Sequence, residues 1–286
     1  MSSCTLVHLS DLHFGRPVDL AQIGAVEQLV PSLRPDAVLV SGDASQRGRH
    51  GEFQSGLAFL ERMRETAPTL VVPGNHDVEW WRSPFGLLGR RRLYAKYRRY
   101  FGEELTPVLR LPGVVVAGAL TAHGLAAGSL TWNQRDVTVK GHLPASETDR
   151  LVRLFAAEPA GTARVVVLHH NVLRGEISRR MGLAHWKSAQ RRLAATGADA
   201  VLCGHDHQEG AGQLEGGTVI STASTLTDRT RGHRPSVFNV VRIDQDAVQV
   251  TFWRWDRPAG EFRPGDNYAF ARTGVRHGVV GAGRVA

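Results

Sequence analysis

Two residue types are scarce in this chain. Cysteine occurs twice in 286 residues, at Cys4 and Cys203. Each lies in or beside an apolar run, so a disulfide framework is excluded and two buried free thiols are expected. Lysine occurs only as Lys96, Lys140 and Lys187, so the net charge of +8, from 35 Lys+Arg against 27 Asp+Glu, is built almost wholly from arginine. Such a surplus reads first as an arginine-made surface. Its other reading is attraction for anionic partners such as phosphoesters, nucleic acid or lipid. No apolar run approaches the ~20 residues that a bilayer span requires. The opening Met1-Ser2-Ser3-Cys4 has no basic stretch, long apolar region or cleavage site, so a cytoplasmic location is the default expectation.

What is present is an ordinary globular composition, 42% hydrophobic and 22% charged, long enough for one large α/β domain. Short apolar runs at 5–9, 37–40, 69–72, 164–168 and 198–203 read as strands. Segments 20–33, 52–64, 89–101, 144–157 and 186–196 read as helices, the last stopped by Gly197. Residues 107–119 hold two strand-like runs broken by Pro112-Gly113, and strands recur at 218–221, 237–243 and 247–253. The stretch 257–286 is rich in Gly, Pro and Arg without apolar periodicity, and is expected to be a mobile tail beyond a domain at 1–256.

Polar side chains gather where these strands end. In order they are Asp11-Leu12-His13, Gly42-Asp43, Gly74-Asn75-His76-Asp77, His169-His170 and Gly204-His205-Asp206-His207. Any one of them alone reads as a turn or a helix cap. Five in succession do not, because turns have no reason to repeat carboxylate, amide and imidazole at strand ends. Ligand crevices of open α/β sheets lie there, and a pair of divalent cations needs such a donor set. Asp11 and His13, two apart on an extended segment, would share a first ion with His207. Asn75, His169 and His205 would hold a second, and Asp43 would bridge them. Without a thiolate among the donors, Mn, Fe or Zn is expected. His76 is expected to face the substrate as general acid, with Asp77 orienting it.

His8-Leu9-Ser10-Asp11-Leu12-His13, Val40-Ser41-Gly42-Asp43 with Gln46-Arg47, and Val72-Pro73-Gly74-Asn75-His76-Asp77 resemble the calcineurin-like metallophosphoesterase superfamily. Within it they look like the class III cyclic-nucleotide phosphodiesterase subgroup. The resemblance implies a four-layer αββα sandwich of two mixed β-sheets flanked by helices. It also implies a phosphodiesterase with two metal ions and a small phosphoester substrate such as a cyclic nucleotide, and it gives His76 the same role. Two positions depart from the pattern: Asn171 where proline usually follows the histidine pair, and Asp206 where a neutral residue is usual.

Other residues stand between roles. Arg16 and His170 are candidate substrate contacts, each balanced by a plain reading as surface arginine or packed histidine. Arg47 reads as a structural partner within its own loop. The loop 222–230, with Arg229, Arg231 and His233 close by, is a candidate border of the pocket. Helix 89–101 carries an apolar stripe through Leu93 and Tyr97, the mark of a surface helix with solvated charges. Its alternative reading is a contact for nucleic acid or an anionic membrane. The leading expectation is a phosphodiesterase. A nuclease or nucleotide-lipid pyrophosphatase using the same metals is the alternative, and a catalytically silent metal scaffold is the non-enzymatic rival.

Overall fold

A computed structural model describes residues 3–16, 18–82, 85, 87, 89–130, 139–272 and 283–285. The first strand, β1 (Cys4–Leu9), is buried almost throughout and runs parallel to β2 (Ala37–Val40), which runs parallel to β3 (Thr69–Val71). Continuous apolar strands of this kind are what a sheet covered on both faces demands. On its other edge β1 pairs antiparallel with β10 (Val237–Ile243), followed by β11 (Ala247–Asp256), β12 (Glu261–Ala271) and β13 (Gly283–Val285). These seven strands form the first sheet, in the order β13-β12-β11-β10-β1-β2-β3.

The second sheet has six strands: β4 (Val108–Leu111), β5 (Val114–Gly118), β6 (Ala163–His170), β7 (Ala200–Gly204), β9 (Val219–Thr222) and β8 (Gly210–Gln213), in that spatial order. Leu6, Leu39 and Leu70 of the first sheet meet Val116, Val165 and Leu202 of the second in one dry layer. Helices α1 (Leu20–Leu29) and α2 (His50–Thr66) cover the outer face of the first sheet through Ile23, Val26, Phe59, Leu60 and Met63. Helices α5 (Ala145–Ala156) and α6 (Trp186–Ala194) cover the second through Leu151, Phe155, Ala189 and Leu193. The result is the expected αββα sandwich, with the alternation of segments dictating the layers. No helix among the described residues is long and apolar enough to cross a membrane.

Both cysteines are free and buried. Burial pushes the Cys203 thiol up to about 11, and burial together with Asp36 pushes Cys4 up to about 12. Segment 89–101 divides at Tyr94 into α3 (Arg90–Leu93) and α4 (Ala95–Phe101). Leu93, Tyr94 and Tyr97 are buried against Phe53, Val78 and Ala122, so the apolar stripe is a packing face.

The C-terminal expectation requires correction. Residues 261–271 are no tail: they form β12, which pairs with β11 and buries Phe262 and Phe270. The alternation there is broken by polar and proline residues at a sheet margin, where one side of the strand meets water, so the apolar period is weak in sequence. Beyond it, Arg272 is buried and its Nε donates to Asp199 Oδ1 at 2.9 Å, tying β12 to the entry of β7. Residues 273–282 and 286 of the expected tail lie outside the described residues. Ending the chain at Asp256 should therefore abolish folding. Arg272→Ala should cost about 3–5 kcal/mol in urea unfolding by stranding the buried Asp199 carboxylate.

Candidate metal centre

The parallel strands β1, β2, β3, β6 and β7 all point their carboxyl ends to one edge of the sandwich, and the five polar clusters meet there. The backbone turns sharply at each one. Asp11, His13, Asp43, His205 and His207 all have positive φ, between 47° and 74°, a conformation that non-glycine residues adopt reluctantly. Backbone held in this region needs surrounding structure to enforce it, and such strain concentrates at functional sites. Space is equally tight. A Cβ on Gly74 would fall 2.1 Å from Asp43 Oδ1, and one on Gly204 would fall 1.8 Å from Ser10 Oγ.

The side chains form two groups joined by one carboxylate. In the first, His13 Nε2 lies 2.9 Å from His207 Nε2, and Asp11 Oδ1 lies 3.6 Å and 3.2 Å from those two nitrogens. In the second, Asn75 Oδ1 is 3.0 Å from both His169 Nε2 and His205 Nδ1, which are themselves 3.2 Å apart. Asp43 Oδ2 stands between, 3.7 Å from His13 Nε2 and 3.3 Å from His169 Nε2. All seven residues named as ligand candidates thus converge.

The surrounding backbone orients them. His169 Nδ1–H donates to Ser41 O at 2.8 Å, and His207 Nδ1–H donates to Arg229 O at 2.7 Å, which turns each Nε2 toward the centre. Asp11 Oδ2 accepts from His205 N–H at 2.8 Å and from Ser10 Oγ–H, while the Asp11 carbonyl accepts from Thr225 Oγ1–H at 2.6 Å. Asp11 Oδ1 is buried and accepts no hydrogen bond beyond its 3.2 Å approach to His207 Nε2. Such a buried carboxylate oxygen facing two imidazole nitrogens is a cation's place, so the residues present fit a pair of divalent ions.

Charge balance points the same way. Burial alone would lower the His169 imidazolium, but the Asp43 carboxylate, through charge and hydrogen bond, pushes it up to about 9. Burial likewise opposes a charge on His207, and Asp11 overrides it upward. His205 is pushed down to about 3 by burial and by the charge on His169. Despite burial, Asp11 is held well below the ordinary carboxylate range by His13 and His207, and Asp43 by His169 and His76. Each buried carboxylate thus favours the protonated form of one imidazole, His169 beside Asp43 and His207 beside Asp11, on the nitrogen whose lone pair a cation would need.

His76 is half-buried. Its backbone N–H donates to Asp43 Oδ1 at 2.8 Å, and its Nδ1–H donates to Gln46 O at 2.6 Å, leaving Nε2 as the free ring nitrogen. Asp77 does not orient it, and this expectation is corrected. The Asp77 carboxylate is fully buried and accepts from Ala44 N–H, Ser45 N–H, Ser45 Oγ–H and Gly74 N–H at 2.9–3.2 Å. It staples the loop after β2 to the loop after β3. Burial and the nearby Asp43 charge push it up to about 6. Adjacent residues on a tight turn point apart, and sequence adjacency hid that.

The cleft over these groups holds about 170 Å³ and is lined by Asp43, Asn75, His76, His205 and His207 with Lys140, Arg180 and Arg231 around them. Arg16 is not among the lining residues. It is exposed beside Arg47 and Arg49 in a separate depression, and Arg47 forms no ion pair in its loop. His170 is also corrected as a substrate contact. It is buried, with Nδ1 2.8 Å from Thr121 Oγ1 and Nε2–H donating to Val139 O at 3.1 Å, and its ring packs on His205. Arg231, in the loop suspected of bordering the pocket, does so, whereas Arg180 and Lys140 gave no signal in sequence. The position of Arg180 comes from the two departures. Asn171 Nδ2 donates to the carbonyls of Leu173 and Arg180, and Asp206 accepts from Ser178 Oγ–H at 2.6 Å and from Gln208, pinning the loop 174–180 at the cleft.

With this geometry in view, comparison with known proteins is informative. Residues 4–209 match the calcineurin-like phosphoesterase family. The chain belongs to that family. It is 39% identical over 82 residues to a glycerophosphodiester phosphodiesterase of Enterobacter lignolyticus, covering 25% of this chain and 29% of that protein. It is 27% identical over 111 residues to a zebrafish (Danio rerio) transmembrane protein with a metallophosphoesterase domain, covering 37% of this chain and 25% of that one. The matches therefore span only about a quarter of each relative's length. Among solved structures, a purple acid phosphatase from yellow lupin superposes with a TM-score of 0.68 at 13% identity, over 95% of this chain and 54% of that chain. A dimetal phosphatase from Danio rerio gives 0.64 at 13% identity, over 94% and 99%. At such identities the likeness is one of fold.

Two outcomes follow. Because His169 and His207 hold protons until a cation displaces them, metal loading should release protons. Apparent Mn affinity should then rise with pH, by up to tenfold per unit for the proton displaced from His169, up to about pH 9. Calorimetry in buffers of different ionisation enthalpy measures this directly. Asp77→Asn should lower stability by about 1–3 kcal/mol, because its amide would oppose backbone donors. It should leave the dependence of rate on leaving group unchanged, and a changed dependence would return Asp77 to His76.

Proposed function

We propose that this chain is a two-metal phosphohydrolase acting on phosphodiesters. The observation that carries the reading is Asp43 Oδ2 standing between the two imidazole groups, 3.7 Å from one and 3.3 Å from the other. In this reading Asp11, His13, Asp43 and His207 would hold one cation, and Asp43, Asn75, His169 and His205 would hold the second. When bound, the pair supplies an acidified water and positive charge against the phosphate oxygens. Imidazole, carboxylate and amide donors suit Mn, Fe or Zn.

The chain itself contributes proton placement and charge. His76 with Nδ1–H held by Gln46 O presents Nε2 to the cleft, where as imidazolium it donates a proton to the departing alkoxide. The neutral ring that remains is still held through Nδ1–H, so its position survives the transfer. The His76 N–H to Asp43 Oδ1 contact registers that acid against the carboxylate that would be shared by both cations. Arg180, Arg231 and Lys140 at the cleft draw in an anionic phosphoester. The partial match to a glycerophosphodiester phosphodiesterase supports a diester with an alcohol leaving group. Small diesters, cyclic nucleotides included, are the substrate class.

Asp43→Asn should lose bound metal and activity together. His76→Ala should retain metal and lose roughly 10²–10⁴-fold in kcat on alkyl diesters. On 4-nitrophenyl diesters, whose leaving group needs no proton, the loss should be several-fold only. Equal losses on both would remove His76 as the acid. Metal-loaded protein inactive on diesters but active on monoesters would overturn the substrate class.

A further inference from the structure

Nearly all the surplus charge of this chain lies in one place. Residues 80–101 contain Arg82, Arg90, Arg91, Arg92, Lys96, Arg98 and Arg99 and no carboxylate. Elsewhere 28 cations meet 27 acids, so this one segment accounts for +7 of the net +8. An arginine-rich surface style would spread its charge over the whole chain. The segment also carries Trp81, Phe85 and Leu87, which are 51%, 52% and 81% exposed. Among the described residues, these are the only exposed tryptophan and phenylalanine.

The packing of the helices leaves this patch outward. Leu93, Tyr94 and Tyr97 are buried, and Tyr94 and Tyr97 donate hydroxyl hydrogen bonds to Ala122 O at 2.7 Å and Val71 O at 3.1 Å. Lys96 and Arg82 pair with the buried Glu79 at 3.0 Å and 2.9 Å. Arg91 faces Glu103 at 3.5 Å on the open surface, a pairing worth little. Arg92 and Arg99 are exposed and have no carboxylate partner among the described residues. The helices are thus anchored by their aromatic hydroxyls, and Arg91, Arg92 and Arg99 stay exposed on the segment that also exposes Trp81, Phe85 and Leu87.

From this we infer that Trp81, Phe85, Leu87, Arg91, Arg92 and Arg99 form a docking surface for an anionic lipid bilayer. Trp81, Phe85 and Leu87 enter the headgroup boundary, and Arg91, Arg92 and Arg99 meet the phosphates. Each half of the patch matches one layer of such a surface: tryptophan favours the interface, and each arginine near anionic lipid contributes about a fivefold gain in partitioning. Nucleic acid fits less well. Its backbone would engage the arginines, but Leu87, the most exposed of the three, offers no ring for a base to stack on. The inference stands apart from the hydrolase reading, since none of these side chains belongs to the metal centre.

Vesicle flotation of the metal-loaded full chain tests it. Phosphatidylcholine vesicles would be compared with phosphatidylcholine–phosphatidylglycerol vesicles, with and without a single-stranded oligonucleotide. Binding should favour the anionic vesicles by at least tenfold and weaken with salt. W81S/F85S/L87S should lose roughly tenfold, and R92E/R99E as much, with circular dichroism and metal content unchanged in both. Equal partition onto both vesicle types, or onto neither, overturns the proposal. So does an oligonucleotide bound equally well by the wild type and W81S/F85S/L87S while vesicle binding is insensitive to that variant, which would make the surface a nucleic-acid site.

Discussion

Two carboxylates buried at the carboxyl ends of adjacent parallel strands govern this structure. Asp11 and Asp43 have almost no contact with water, and an isolated buried charge costs far more than a domain's net stability. The fold meets that cost with imidazoles. His13 shares the loop of Asp11, His169 lies at the end of β6, and His205 and His207 follow β7, so the two sheets are joined electrostatically across their common edge as well as by the apolar layer between them. The Asp43 and Asp11 charges push the imidazolium forms of His169 and His207 up. Divalent cations held by the same side chains would offset the carboxylates in place of those protons, which would couple metal affinity to acidity.

The approach of so many polar groups is permitted by the backbone. Gly74 and Gly204 remove the side-chain bulk that would collide with Asp43 and Ser10, and five ligand candidates accept left-handed backbone. Buried hydrogen bonds hold that strain in place. Asp77 clamps two loops, Thr225 Oγ1 holds the Asp11 carbonyl, and the carbonyls of Ser41, Gln46 and Arg229 each take an imidazole N–H. Imidazole orientation is therefore set by main-chain acceptors. The cleft above is bounded by a loop that Asn171 and Asp206 pin from below. The two residues that depart from the expected pattern thus help fix the loop that borders the cleft.

Much of this was legible from residue order. Apolar runs of four to six residues, each ending in a carboxylate, amide or histidine, announced both the parallel strands and the edge at which they would converge. What escaped was what depends on direction or on long-range pairing. Asp77 and His170 each sit beside a ligand candidate, and adjacency suggested shared work. The chain turns between neighbours, however, so one faces backbone amides and the other packs behind His205. Strand β12 escaped because a margin strand with proline and polar residues shows little period. Arg180 and Lys140 escaped because nothing local distinguishes a cleft arginine or lysine from a surface one.

By itself the sequence determined the alternation of strand and helix, the donor chemistry at five strand ends, and the concentration of arginine in one segment. These follow from composition and period, which are local. Only the tertiary structure decided which oxygen of Asp43 lies between the two imidazole groups, which histidine nitrogen each carbonyl fixes, and which cations border the cleft. Those depend on the register between strands distant in sequence and on the hand of each tight turn, and neither is encoded in a short window of residues.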